Sequence, residues 1–155
     1  MQHQVDILFV INDLKFLKSH RIDLINFLVS KGLKVSVATN LEGAKLDEVE
    51  KIQKNIGLVN FKFSRSSLNL FTNILALTNL FKIIRKTNPS KILLVSSKPI
   101  IYGGLATIFN FKREVCCLIS GMGYAFISSS LRSRIVKNII LILYRAAHFL
   151  WVQTY

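Results

Sequence analysis

Acid is what this chain is shortest of. Eight Asp and Glu stand against 21 Lys and Arg in 155 residues, a formal net charge of +13. Such a field favours anionic partners, whether nucleic acid, anionic lipid or phosphate-bearing substrates. The plain alternative is a basic, solvated surface. Cysteine is scarcer still. Cys116 and Cys117 are adjacent, so they frame no disulfide scaffold, and no metal-ligand spacing surrounds them. They read as small core residues of a reduced, intracellular protein. The opening "MQHQVDILFVIND" lacks the basic stretch and long apolar run of a signal peptide. The most apolar segment, "IVKNIILILYRAAHFLWV", is interrupted by Lys137, Asn138 and Arg145. A bilayer crossing wants about 20 apolar residues in a row, so this segment is expected to be a buried or interfacial helix. There is no repeat, low-complexity tract or internal linker, which leaves a single domain over 1–155. Ser-His-Asp order, paired carboxylates and a Walker loop are all missing as well.

What is present is apolar: 51% of the residues, with a mean hydropathy of +0.41. Short apolar runs alternate with longer helical patterns, the mark of a parallel sheet covered on both faces. Strands are expected near 5–11, 33–38, 58–62, 91–96 and 114–119, with a short last one at 148–152. Helices are expected near 17–31, 45–55, 70–87, 99–110 and 132–147. In the helix over 70–87, Leu70, Ile74, Leu77, Phe81 and Ile84 follow the helical period and are expected to face the core. Asn88-Pro89 ends it, and Gly32 and Gly57 are placed as glycines just past helix ends. Right-handed crossovers between this many βα units give a Rossmann-like doubly wound, mostly parallel α/β sheet with helices on both faces.

Ligands on such sheets bind beyond the C-terminal strand ends. The loops expected there are "NDLKFLKSHR", "TNLEG", "SRSSLN", "SSKP" and "SGMGYAF". They are rich in Ser, Asn, Gly, Lys and Arg and nearly free of acid, which suits a phosphate or sugar better than a metal. The first has no glycine, so it is not the dinucleotide fingerprint. It places His20 and Arg21 where Ser19 could cap a helix; solvent-facing side chains at a helix start are the alternative. Gly121 and Gly123 form a turn whose N–H groups could cradle an anion or a sugar hydroxyl, or simply turn the chain. Arg65 stands alone at the third strand's end. Arg134, Lys137, Leu141 and Arg145 recur at helical spacing as a mostly basic stripe. It could rest on an anionic membrane or be an ordinary charged outer face. Nucleic acid is disfavoured, since most of the eleven Phe lie inside apolar patterns rather than interleaved with Lys and Arg. One stretch, "SKPIIYGGLA", is odd: Gly103 and Gly104 each cost a helix about 1 kcal/mol relative to Ala. Something must come close to that backbone, either a ligand or the neighbouring strand.

Taken in order, Asn12-Asp13 with "FLKSHR", Ser64-Arg65 with Asn69, Asn88-Pro89, "SKPIIYGGLA", "ISGMGYAF", and "LYRAA" followed by "WVQ" resemble a known domain. It is the N-terminal domain of bacterial family-4 glycosyltransferases of the GT-B fold, the kind that build capsules and O-antigens. The chain departs from the family at Lys15-Phe16, where paired glycines are common, and at Pro89-Ser90, where Pro-Asp is usual. The resemblance implies sugar transfer from a nucleotide-sugar to a lipid-diphosphate-linked saccharide in surface polysaccharide synthesis, with no further cofactor. It places the protein in the cytoplasm, peripheral on the inner face of the plasma membrane. His20, Arg21, Arg65, Lys98, Gly121 and Gly123 would line the acceptor side, and Arg134, Lys137 and Arg145 the membrane surface. Relatives bind the donor mainly through a C-terminal domain that these residues lack. The expectation is therefore a truncated or split enzyme, inactive alone. The alternative is a non-catalytic subunit that docks a catalytic partner chain at the membrane.

Overall fold

The computed structural model describes residues 5–62, 70–107 and 114–118, with Arg134, Ile135, Lys137, Asn138, Leu141 and Ile142. Five runs rich in branched and apolar residues become strands: β1 (Ile7–Asp13), β2 (Val35–Asn40), β3 (Gly57–Asn60), β4 (Lys91–Val95) and β5 (Glu114–Leu118). They pair in the order β3-β2-β1-β4-β5, and every pairing among the described residues is parallel. In β1, Ile7 to Ile11 are all buried, as expected of a central strand covered on both faces. Ile7 pairs with Val35 on one side and Lys91 on the other.

Helices fill the crossovers. α1 (Leu14–His20), α2 (Ile22–Ser30) and α3 (Leu46–Gln53) precede β3, while α4 (Leu70–Thr87) and α5 (Ser97–Thr107) follow it. The two sheet faces bury separate cores. Ile7, Phe9, Ile11, Val35 and Val37 pack with Leu14, Leu17 and Ile25 of α1 and α2. Leu8, Val10, Ile92 and Leu94 pack with Leu80, Ile83, Ile84, Ile100 and Tyr102 of α4 and α5. This is the doubly wound arrangement expected, with strand boundaries moved by two residues or fewer. The expected strand at 148–152 lies outside the described residues. Of the helix expected at 132–147, the six described residues are all helical and exposed.

Three local expectations are corrected. The helix expected over 17–31 begins at Leu14, because the Asp13 carboxylate accepts from Phe16 N–H at 2.8 Å and caps it. It then breaks at Arg21, so "LKFLKSH" is helix rather than loop. Gly57 is not past a helix end but opens β3, where a Cβ would lie 2.5 Å from Ser36 Oγ on the paired strand. Gly32, by contrast, has φ 82° after α2, as a helix-ending glycine should. In α4 the inward residues are Ala76, Leu80, Ile83 and Ile84, whereas Ile74 and Phe81 are exposed. Close packing also explains Gly103. A Cβ there would collide with a methyl of fully buried Leu94, so the glycine lets α5 lie against β4. Tyr102 Oη then ties α5 to α4 by donating to Asn73 Oδ1 at 2.8 Å.

Candidate functional site

The direction of the chain decides where a ligand can sit. β1 leads to β2 on one side, and β4 lies on the other, so the order reverses between β1 and β4. A crevice opens beyond their C-terminal ends. Toward the C-terminal ends of three strands, side-chain atoms are buried with no hydrogen-bond partner: Asn12 Oδ1 on β1, Thr39 Oγ1 on β2, and Ser96 Oγ directly after β4. Burying such a group unsatisfied costs about 1–3 kcal/mol, so three of them on adjacent strand ends is a costly concentration. Ser96 also carries φ 73°, a left-handed backbone that L-residues avoid. The geometry turns β4 into α5 with no loop between. Ser96 N–H donates to Leu118 O at 3.0 Å, and its carbonyl accepts from Ile100 N–H at 3.1 Å. The N-terminus of α5 therefore opens at the crevice, the end of a helix that favours anions.

Lys98 lies in the first turn of α5, half-buried, and burial holds its ammonium below the ordinary lysine pKa. A partly desolvated cation beside a helix N-terminus is suited to an oxyanion. Nearby, between α1 and the β2–α3 connection, a cavity of about 490 Å³ is lined by Asp13, Lys15, Lys18, Asn40, Glu42 and Glu48, among others. Asn40 Oδ1 accepts from Glu42 N–H at 3.0 Å, Gly43 takes φ 73°, and Lys18 bridges to Glu48 at 3.2 Å. The volume suits a small molecule, and mixed carboxylates, ammonium groups and an amide suit hydroxyls.

His20 and Arg21 stand elsewhere. Ser19, expected as a cap, is inside α1 and donates to Lys15 O at 2.9 Å; a helix does start just beyond, α2 at Ile22, but its N-cap is Arg21, which makes no side-chain cap hydrogen bond. A 2.6 Å hydrogen bond joins Ser19 Oγ to His20 Nδ1. The imidazole stacks on Phe16 with centroids 4.5 Å apart, and the Arg21 guanidinium lies 5.8 Å from the same ring. Arg21 Nη1 donates to His20 O, while its Nε is buried without a partner. Neither residue lines the cavity. Arg65, Gly121, Gly123 and Arg145 lie outside the described residues, and Arg134 and Lys137 are exposed on helical backbone. The cavity and the orphaned atoms were not foreseen. Asn40 and Gly43 in "TNLEG" were the available signal for the cavity, whereas a buried hydroxyl without a partner leaves no mark in a sequence.

Among the described residues, no group of three His, Cys, Asp or Glu could hold a metal ion. No helix among them is long and apolar enough to cross a membrane.

A family model described as "Glycosyl transferase 4-like" matches residues 6–154. Two crystal structures are similar in fold. CalG4, the calicheamicin glycosyltransferase, superposes with a TM-score of 0.57 at 16% identity, over 95% of this chain and 41% of that one. A UDP-N-acetylglucosamine 2-epimerase superposes with a TM-score of 0.53 at 15% identity, over 90% and 40%. This chain thus spans about two fifths of each. No curated protein sequence matches it.

Proposed function

Because the chain belongs to the glycosyl transferase 4-like family, we propose that it is the acceptor-side half of a GT-B glycosyltransferase. Family and fold together support sugar transfer in general. The reading goes further: the acceptor is a lipid-diphosphate-linked saccharide of surface polysaccharide synthesis, and the donor is a nucleotide-sugar. Donor binding comes from sequence outside these 155 residues, on the same polypeptide or on a catalytic partner. The reaction takes place at the cytoplasmic face of the membrane.

The observation that carries this reading is the crevice between β1 and β4. α5 begins at this edge, with Ser96 directly before it and half-buried Lys98 in its first turn, a combination that suits diphosphate oxygens. The neighbouring cavity offers hydroxyl partners for the saccharide. The protein's work on this side is to hold and orient the acceptor, which contributes through proximity rather than through a group that moves protons. His20 and Arg21, at the α1–α2 junction away from the cavity, and Arg65, Gly121 and Gly123 would extend the acceptor surface in this reading.

Titration with farnesyl diphosphate, a soluble short-chain prenyl diphosphate, tests the reading without any membrane. Lys98→Ala should weaken binding by about 10-fold or more, the scale of a lost charge-assisted hydrogen bond. Farnesol should bind far less well. Equal binding of the alcohol, or indifference to Lys98→Ala, overturns the assignment.

A further inference from the structure

Carboxylates are scarce in this chain, and they are not spread evenly. The cavity between α1 and the β2–α3 connection is lined by Asp13, Glu42 and Glu48 against Lys15 and Lys18. It takes three of the eight acids but only two of the 21 Lys and Arg. Glu48 holds Lys18 at 3.2 Å, and the Asp13 carboxylate caps α1. Lys15 and Glu42 form no ion pair with each other or with another described residue. Glu42 is exposed, and its backbone N–H, not its carboxylate, is bonded to Asn40. One further group marks this side of the sheet. Val35 and Val37 of β2 belong to the core that Leu14, a cavity residue, also joins. Strand alternation puts Thr39 on the same face, fully buried and with no hydrogen-bond partner for its Oγ1.

We propose that this cavity is a sugar subsite that selects by charge, taking a sugar with a protonated amine best, a neutral one less well, and rejecting an acidic one. The net charge of +13 argues for the opposite order, because such a field draws anions. Distance decides between the two. Charges on the rest of the surface are screened beyond a Debye length of about 8 Å at physiological ionic strength, whereas a seated ligand touches the lining itself. Lys18 does little to offset the carboxylates there, since Glu48 already holds it. An acidic sugar would set its own carboxylate against Glu42, a like-charge contact that discriminates strongly between ligands. Unpaired Lys15 in turn opposes a ligand with several positive charges. Asn40 and Ser19 complete a polar lining of the kind that hydroxyls pair with.

The choice of a sugar as ligand rests on the acceptor reading above, and it adds a direction to it. In that reading the diphosphate goes to the start of α5 with Lys98, and the saccharide goes to the acid-lined cavity. Two regions of opposite sign then oppose the reversed orientation by charge alone.

The test uses the full chain and three sugars of one ring shape: glucosamine, glucose and glucuronate. Binding is followed by ligand-observed NMR at a slightly acidic pH, where the amine of glucosamine is protonated. Glucosamine should bind at least about 10-fold more tightly than glucuronate, with glucose between them. Glu42→Gln should narrow that ratio by at least about 3-fold, and Glu42→Lys should reverse the order. Glu50→Gln, an equal loss of charge on α3 outside the cavity lining, should leave the ratio unchanged. The proposal is overturned if glucuronate binds as well as glucosamine or better, or if none of the three sugars binds. It is equally overturned if Glu42→Gln leaves the ratio unchanged, or if Glu50→Gln alters it as much. These sugars carry neither diphosphate nor lipid, so the outcome is separate from the farnesyl diphosphate titration. Farnesyl diphosphate held through Lys98 without the charge order removes this inference alone. The charge order without farnesyl diphosphate binding leaves a sugar site and removes the diphosphate.

Discussion

At Ser96 the backbone takes a left-handed φ of 73° while the hydroxyl is buried without a partner. Both features cost stability, and glycine would relieve both. Ser96→Gly is expected to stabilise the fold by about 1 kcal/mol. For a chain of this size that raises the melting temperature by about 2–4 °C. If the hydroxyl serves the acceptor, the same variant loses affinity for a prenyl diphosphate, so a thermal melt and a titration should move in opposite directions. Lys98 gives a pH-dependent counterpart. Its pKa is lowered from 10.5 by burial, so between the folded and unfolded values the unfolded chain binds more protons. Over that alkaline window this lysine makes stability rise with pH, while anion binding falls as the charge is lost. Lys98→Arg should keep binding flat across the same window, since guanidinium does not titrate there. A lysine just after a strand can be marked from sequence as a candidate ligand group, as Lys98 was. The strain at Ser96 could not, because serine's identity says nothing about its φ.

Elements were legible where a boundary has its own chemistry. Asn88-Pro89 ended α4 at Thr87 as expected, with Asn88 at φ 42° accepting the turn. The α1–α2 break at Arg21 has no proline or glycine to announce it, so one long helix was the natural expectation. The phase of α4 was misread for a different reason. A helix apolar on most of its circumference fits the i, i+4, i+7 template in more than one rotation. The side that the fold buries is the one carrying Ala76, Leu80, Ile83 and Ile84, which share a core with Ile100, Tyr102 and Ala106 of α5. Between α5 and β4 the fit is tight enough to test by a cycle. Gly103→Ala should destabilise by about 1–2 kcal/mol through overpacking against Leu94, and Leu94→Ala by about 2–5 kcal/mol through the cavity it leaves. The double variant should cost less than the two together by at least about 0.5 kcal/mol, since the new methyl fills part of the space. Additive denaturation energies would show that the contact is not the reason for the glycine.

For the molecule as a whole, alternation of short apolar runs with helical patterns was enough to read a parallel, doubly wound sheet. The cavity was not readable, because it depends on α1 and the β2–α3 connection meeting in space. Purified chain incubated with nucleotide-sugars and a polyprenyl diphosphate acceptor should yield no enzyme-dependent transfer; clear transfer would refute the half-enzyme reading. The central place of β1 has a temporal consequence as well. Its pairing with β2 is available early, but Ile7 must also meet Lys91. A ribosome adding about 5–20 residues per second makes the first strand wait on the order of 10 s for that neighbour. Through that interval Leu8 and Val10, which end fully buried against α4 and α5, have no cover. Nascent chains paused before residue 91 should therefore be held by chaperones and cut readily by protease, and resistance should arrive abruptly once β4 and α5 have left the exit tunnel.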